Sequence, residues 1–510
     1  MKLKTTAILA ACGILLSAAG AFAIPLQPAA TVTAEPPTTA TPGKGGTWAQ
    51  TGSRITAGDT LLVDARLGHA SLQKSARGET YLFAQVTAAA EDASAVAAAT
   101  PMNLGVVIDR SGSMKGDRIA NAMNAAVHAL ERMREGDSIS VVSFDTSASV
   151  VVPPTRISAG NRSSIEAAIR SIRLGGDTCI SCGLEEGMRQ LEQTTLGSDR
   201  LNRIILLSDG VTNAGVRDMP GMRAMAGRMR GRGVTISTIG VDVDFDEKMM
   251  AAIANEANGR HYFVANSSGL SAVFGQEFDD ILASVAKETE LAIDLAPGVE
   301  VEEVFDRSFR REGNKLIVPF GTLSAKQEKT VLVKLRVPTD RDGDQPVADL
   351  KLAFRDLAKK ADGSCSGSLT LAVNDAGQKD LDPFVAARLE RSRTASTLTE
   401  ANKLFEQGRI GDARAKLASR SADLRRNEGS IVAAASAAPS AVAPRRPTKS
   451  VARDFDDQSD ALASAERQFA QPPPSAKGGL GVANAAPAGP SREGKAQVRS
   501  NQQKATEMGF

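Results

Sequence analysis

Between Asn103 and about residue 286 the chain repeats one unit: a run of apolar, often β-branched residues stopping at a polar loop, then a stretch with helical spacing. The strand runs are NLGVVID, SISVVSF, SASVVV, NRIILLS, VTISTIGV and RHYFV, and the helical stretches lie near 117–133, 162–172, 181–193, 218–230, 247–257 and 270–286. Continuous apolar runs mark strands buried on both faces. Interleaved with amphipathic helices, they predict an α/β, doubly wound, Rossmann-like domain over 101–286 with a mainly parallel sheet. Ligands of such sheets sit in the crevice at the carboxyl ends of the strands. Function is therefore sought in the loops that follow each strand.

The flanking regions follow other rules. After residue 287 come short strands and turns (ELAIDLA, VEVEEVF, KLIVPFG, KTVLVKLRV, PVADLKLAF, GSLTLAV), the pattern of a β-sandwich over 287–376. TLLVDARL and TYLFAQVTA, within 47–100, also read as strands but have no sheet of their own. They are expected to pair into the later sandwich, making the α/β domain an insertion. Residues 377–426 read as a helical hairpin, with Leu398, Ala401, Leu404 and Phe405 on one face and Gly408 at the turn. Its ANKLFEQGRIGDARAKL stretch resembles a single tetratricopeptide-like unit, which cannot bury its own face and must dock on the sandwich or on another protein, docking within the chain being the simpler expectation. The segment 427–510, dense in Ala, Ser, Pro and charge, predicts a disordered tail.

The amino terminus has a basic start, an apolar stretch and Ala21-Phe22-Ala23, which together read as a signal peptide over 1–23. A second reading cleaves before Cys12 and leaves a lipid-anchored protein. Residues 24–46, rich in Pro, Thr and Ala, read as a flexible linker. No later apolar run reaches the ~18 residues that would suggest a membrane span. The expected location is exported, periplasmic or at the cell surface. A formal charge of +2 gives no general attraction to nucleic acid.

The first strand of the α/β region ends in DRSGS, placing side-chain oxygens at every second residue: Asp109, Ser111 and Ser113. Curled around Gly112, the three can face one point, and hard oxygen donors suit Mg²⁺ or Mn²⁺. A serine here could equally cap the helix that begins near Asp117. Two further loops at the same sheet edge favour the metal: GGDTCISCGL carries Thr178, and LLSDGVTN carries Asp209 directly after a strand.

Together DRSGS, the TCISCGL segment and SDG at 208–210 resemble the von Willebrand factor type A domain and its metal-ion-dependent adhesion site. The resemblance implies that Ser111 and Ser113 bind the metal directly, Thr178 directly or through water, and Asp109 and Asp209 largely through water. With mostly neutral hydroxyls around it, the ion stays electron-poor and can accept a carboxylate from a protein partner. Cys179 departs from the family pattern, in which the position after Thr178 is often polar. Lying three residues before Cys182 at a helix start, it permits a disulfide that would restrain Thr178. The order of strands, inserted domain, sandwich and hairpin resembles exported bacterial type A proteins and, more distantly, inter-alpha-trypsin inhibitor heavy chains. The implied role is a non-enzymatic, Mg²⁺-dependent adhesion or assembly module. Two alternatives stand beside it: a thiol-disulfide redox protein using Cys179 and Cys182, and an accessory subunit of an envelope transport or channel complex.

Other motifs carry less. His69, His128 and His261 are scattered and accompany no nucleophile motif. GSCSG around Cys365 is expected to be a turn. DRDGD at 340–344 departs from a calcium loop and is expected to be a solvated hairpin turn. Asp242, Asp244 and Asp246 follow a strand, and Asp246 reads as a helix cap. Met222, Met225 and Met229 recur at helical spacing and read as core.

Overall fold

The structure, a computed structural model, describes residues 49–88, 100–194, 200–325, 327–437, 451–470 and 492–509. The signal-peptide and linker expectations therefore lie outside the described residues. The chain opens with β1 (Ala49–Thr51), β2 (Arg54–Gly58), β3 (Leu61–Leu67), β4 (Ser71–Gln73) and β5 (Glu79–Ala88). The α/β region follows as β6 (Met102–Asp109), α1 (Asp117–Arg132), β7 (Ser138–Phe144), β8 (Ala148–Arg156), α2 (Arg162–Arg170), α3 (Ile180–Glu192) and β9 (Leu201–Ser208). It continues with α4 (Met219–Gly231), β10 (Val234–Val241), α5 (Glu247–Glu256), β11 (Asn258–Val264) and α6 (Leu270–Leu282).

These strands form one sheet in the order β11-β10-β9-β6-β7-β8, parallel except for edge strand β8, which runs antiparallel to β7. Every residue of β6, β9 and β10 is buried, as the apolar runs require. One face packs on α1 and α6 through Ile119, Leu130, Phe274 and Phe278, and the other on α3, α4 and α5 through Leu184, Met225 and Met250. Met222, Met225 and Met229 are core residues on that second face.

The remaining strands are β12 (Ser284–Leu295), β13 (Glu300–Phe305), β14 (Arg310–Glu312), β15 (Lys315–Ser324), β16 (Glu328–Arg336), β17 (Gly343–Asp356) and β18 (Ala361–Asn374). They build two sheets, β1-β2-β3-β5-β16-β13 and β14-β15-β12-β17-β18-β4, packed face to face around Leu82, Val86, Leu291, Val333 and Leu352. The antiparallel pairing of β5 with β16 joins the early strands to the late ones across the whole α/β region. Two local readings need correction. GSCSG is no turn but the middle of β18, paired with β17, with Cys365 a buried free thiol. DRDGD is not a hairpin: it crosses between the two sheets, from β16 to β17, and Asp342 accepts a hydrogen bond from Lys74 at 2.6 Å.

Pro383 opens α7 (Pro383–Glu406), where the Asp382 carboxylate accepts from the Phe384 and Val385 amides. Gly408, at φ 76°, makes the turn into α8 (Ile410–Ala437). Val385 and Leu389 fix α7 to Phe83 and Leu332 of the sandwich. The disordered-tail expectation fails over 427–437, which extends α8, and over α9 (Val451–Ala470) and α10 (Arg492–Gly509). Phe455, Leu462, Phe469, Val498 and Met508 from these helices cover Leu398, Ala401 and Leu417 of the hairpin. The repeat-like unit thus buries its face largely on the chain's own tail. The remaining tail, 438–450, 471–491 and 510, lies outside the described residues.

Candidate metal centre

β6 delivers Asp109 to the carboxyl edge at the middle of its sheet. Its carboxylate turns inward: Oδ1 accepts from the Ser111 amide at 2.8 Å and Oδ2 from Ser208 Oγ at 2.6 Å. Burial pushes this carboxyl up to about 6, with hydrogen bonds from Ser208 and Ser111 opposing and the neighbouring Asp209 adding to the rise. A short 3₁₀ turn, Gly112–Met114, is pinned by buried Met114 and lifts Ser113 to the exposed rim. Ser111 Oγ lies 3.0 Å from Ser113 Oγ, and Ser113 Oγ donates to Asp209 Oδ1 at 2.7 Å. Four of the five predicted residues therefore form one connected chain of contacts.

Thr178 arrives from the second loop. Gly175 donates to the Arg110 carbonyl and Gly112 to the Gly176 carbonyl, lacing this loop to the first. Asp145, at the end of β7, accepts from the Gly176 amide and pairs with Arg110 at 3.0 Å. A Cβ on Gly175 would fall 1.7 Å from Asp145 Oδ2, so glycine is required there. Although burial raises the Asp145 pKa, backbone amides of Ser147 and Gly176 together with Arg110 hold it below the usual range. The third loop is bolted to Thr178 itself: its amide donates to Asn213 Oδ1, and its carbonyl accepts from the Asn213 and Ala214 amides and the Thr212 hydroxyl. Thr178 Oγ1 is not hydrogen-bonded to the serines. It faces the same small space, since a Cβ on Gly210 would stand 3.0 Å from Thr178 Oγ1 and 3.6 Å from Ser113 Oγ.

That space is lined by three hydroxyls with a carboxylate behind them, a hard-oxygen donor set that fits Mg²⁺. Among the described residues no group of three or more His, Cys, Asp or Glu side chains is placed to hold a metal, so a cation here would depend on the hydroxyls. Burial raises the Asp209 pKa against the opposing hydrogen bonds from Ser113 and Arg118. Cys179 and Cys182 form a disulfide with Cα atoms 5.3 Å apart, directly after Thr178.

Sequence reasoning missed Arg118 and the part played by Asp242. Arg118, in the first turn of α1, donates to Asp209 Oδ2 and to the Ser113 carbonyl, each at 2.7 Å, and to Asp242 beyond the end of β10. Nothing local marks either residue; only the folded edge unites them. Asp246 caps α5 as expected. The histidines stay apart. His69 lies against Thr80, His128 is exposed beside Glu131, and burial drives His261, next to Thr238, down to about 3.

A doubly wound sheet with hydroxyl and acid loops converging on its carboxyl edge is the arrangement at which α/β folds bind ligands. Residues 103–276 match the von Willebrand factor type A domain, so the chain contains a type A domain. It is 29% identical over 272 residues to uncharacterized protein YfbK of Escherichia coli, covering 51% of this chain and 46% of that one. It is 27% identical over 285 residues to uncharacterized protein sll0103 of Synechocystis sp., covering 54% and 66%. The chain thus spans about half to two thirds of the length of these curated relatives. Inter-alpha-trypsin inhibitor heavy chain H3 of Mesocricetus auratus is 32% identical over 120 residues, 22% of this chain and 14% of that one. The same fold occurs in a von Willebrand factor type A protein from Catenulispora acidiphila, with TM-score 0.58, 16% identity and coverage of 80% and 97%. It recurs in the ArnB paralog VWA2 of Sulfolobus acidocaldarius, with TM-score 0.55, 14% identity and coverage of 89% and 100%. Type A domains are generally protein-interaction modules rather than enzymes, and they typically bind a divalent metal. Among the described residues no helix is long and apolar enough to cross a membrane.

Proposed function

We propose that this protein is an extracytoplasmic, Mg²⁺-dependent binding module that captures an acidic side chain of a protein partner for adhesion or assembly. The observation that carries the reading is the run of contacts Asp109–Ser111–Ser113–Asp209 beside Thr178, arranged around the bare Gly210. Ser111, Ser113 and Thr178 would hold the cation, with Asp109 and Asp209 orienting the hydroxyls and bound water. The ion would supply a positive centre short of negative ligands. Asp109 is spent on the Ser111 amide and Ser208, so its charge stabilises the loop instead of saturating a cation. Exposed Ser113 leaves one side open to an incoming carboxylate.

The rim suits a protein ligand. Val211 and Leu174 are 55% and 40% exposed on the two loops that flank the hydroxyls. Apolar side chains next to a charge-accepting centre favour an acid presented within a folded or apolar surface over a free small anion. The test is a pull-down from envelope extract with Mg²⁺ or EDTA, comparing the wild type with Asp109→Ala. Capture that survives both the chelator and the substitution would refute metal-mediated binding.

A further inference from the structure

α10 packs on the hairpin with one side and crosses the acidic edge of the α/β sheet with the other. Arg492 donates to both carboxylate oxygens of Asp242 at 2.9 Å, Lys495 to Asp244 at 2.9 Å and Arg499 to Glu247 at 2.7 Å. The Arg499 guanidinium also lies over the Phe245 ring, 5.4 Å from its centroid. Spaced by three and four residues, these cations share one helix face, and the four residues they meet are the loop between β10 and α5 and its entry into the helix.

Asp242 is a shared acid. It sits beyond the end of β10 with a left-handed φ of 67°, a conformation that holds its carboxylate at the edge. Arg118 reaches it as well, while the other arm of the same guanidinium holds Asp209 and the Ser113 carbonyl. The interface between α10 and this edge is also poorly satisfied: Glu247 Oε1, Arg499 Nε and His261 Nε2 are buried without a hydrogen-bond partner. Buried polar atoms left unpaired weigh against the docked arrangement.

We propose that the edge formed by Asp242, Asp244 and Glu247 is a docking surface for a basic helix, occupied here in cis by α10, and that α10 docking and divalent-cation loading of the neighbouring site oppose each other through Arg118. The inference rests on the metal-site reading above. A cation among Ser111, Ser113 and Thr178 draws Asp209 toward itself and repels the guanidinium that holds Asp209. Arg118 is then left with Asp242, whose Oδ2 it shares with Arg492, and the two like charges oppose its closer approach. By linkage the effect is reciprocal: freeing Asp242 of Arg492 gives Arg118 a place to go and eases loading.

Two measurements on the full chain test this. Calorimetric Mg²⁺ titration of Arg492→Ser should show affinity raised about fivefold or more over wild type. Removing a positive charge alone would also raise affinity, so Val498→Ser, which loosens α10 from the hairpin without changing charge, should shift it in the same direction. Amide hydrogen exchange across 492–509 should quicken with Mg²⁺ relative to EDTA in wild type and be indifferent to Mg²⁺ in Asp109→Ala. Mg²⁺ binding that is equal in wild type and Val498→Ser, or exchange of α10 that ignores Mg²⁺ in a wild type that binds it, overturns the coupling and leaves the metal reading intact. Absence of Mg²⁺ binding in every variant sinks both.

Discussion

Replacing Gly210 by alanine separates the metal site from the fold. The added methyl would stand 3.0 Å from Thr178 Oγ1, 3.5 Å from Thr178 Cγ2 and 3.6 Å from Ser113 Oγ. Only the first is closer than ordinary van der Waals contact, so the threonine hydroxyl must retreat by a few tenths of an ångström. Gly210 is not in the left-handed region, so alanine carries no backbone strain there. The reduced freedom of the unfolded chain returns about 0.4–1 kcal/mol. Net stability should therefore change by less than about 1 kcal/mol. Mg²⁺ is less forgiving, because it demands oxygens at about 2.0–2.1 Å in near-octahedral array. A hydroxyl pushed aside and screened by a methyl is lost as a donor. A hydrogen bond to a charged group, taken as the nearest measured analogue, is worth about 1.5–3 kcal/mol. The loss would thus weaken Mg²⁺ by about tenfold to somewhat over a hundredfold. Isothermal calorimetry gives the affinity, and thermal melts with and without EDTA show whether the variant folds. A folded Gly210→Ala protein that binds Mg²⁺ like the wild type would refute placing the cation between Thr178 and Ser113.

Two further outcomes follow from the site and its surroundings. Burial pushes the Glu247 carboxyl from an ordinary 4.5 up to about 7, against the pull of Arg499 and Lys248 and with Glu406 adding to the rise. The folded protein then holds a proton that the unfolded chain releases, so stability falls as pH climbs from about 4.5 to about 7, by up to about 3 kcal/mol. Urea melts across that range should show a flatter slope for Glu247→Gln, and an identical slope would exclude Glu247 as the source. The Cys179–Cys182 disulfide adjoins Thr178. Re-ordering one freed backbone residue costs about 1–2 kcal/mol, so a dithiol reductant, or the double Cys→Ser variant, should weaken Mg²⁺ about five- to thirtyfold. The low end is favoured because Asn213 still grips Thr178. Equal affinity in both redox states would show that the bridge does not restrain the site.

The legible parts of this molecule are those whose signal is local. Strands β6, β9 and β10 are wholly buried, and their apolar, β-branched runs announce it even where Asn202, Arg203 or Thr235 interrupts them. Asp109, Ser111 and Ser113 stand out because a single loop carries all three oxygens. Arg118 and Asp242 do not, since a helical arginine and a strand-end acid are ordinary until the fold brings the guanidinium between Asp209 and Asp242. The helices of the tail are illegible for a related reason. α9 and α10 bury few large apolar residues, among them Phe455, Leu462 and Phe469, amid many Ala and charged ones. Such sparse stripes suffice only because the hairpin offers a ready face, and composition carries no record of that face. GSCSG, rich in small residues, reads as a turn until β17 is seen to pair with it throughout.

The register between β5 and β16 has a consequence for how the chain is made. Thr87 must find Glu328, and Leu82 must find Val333, although the entire α/β domain is synthesised between them. The amino-terminal strands emerge first and wait with an unsatisfied edge until the distant partner arrives. Closure of the sandwich is therefore a late, slow, non-local event. An α/β domain that folded first would bring its two ends together and so shorten the loop that must be closed.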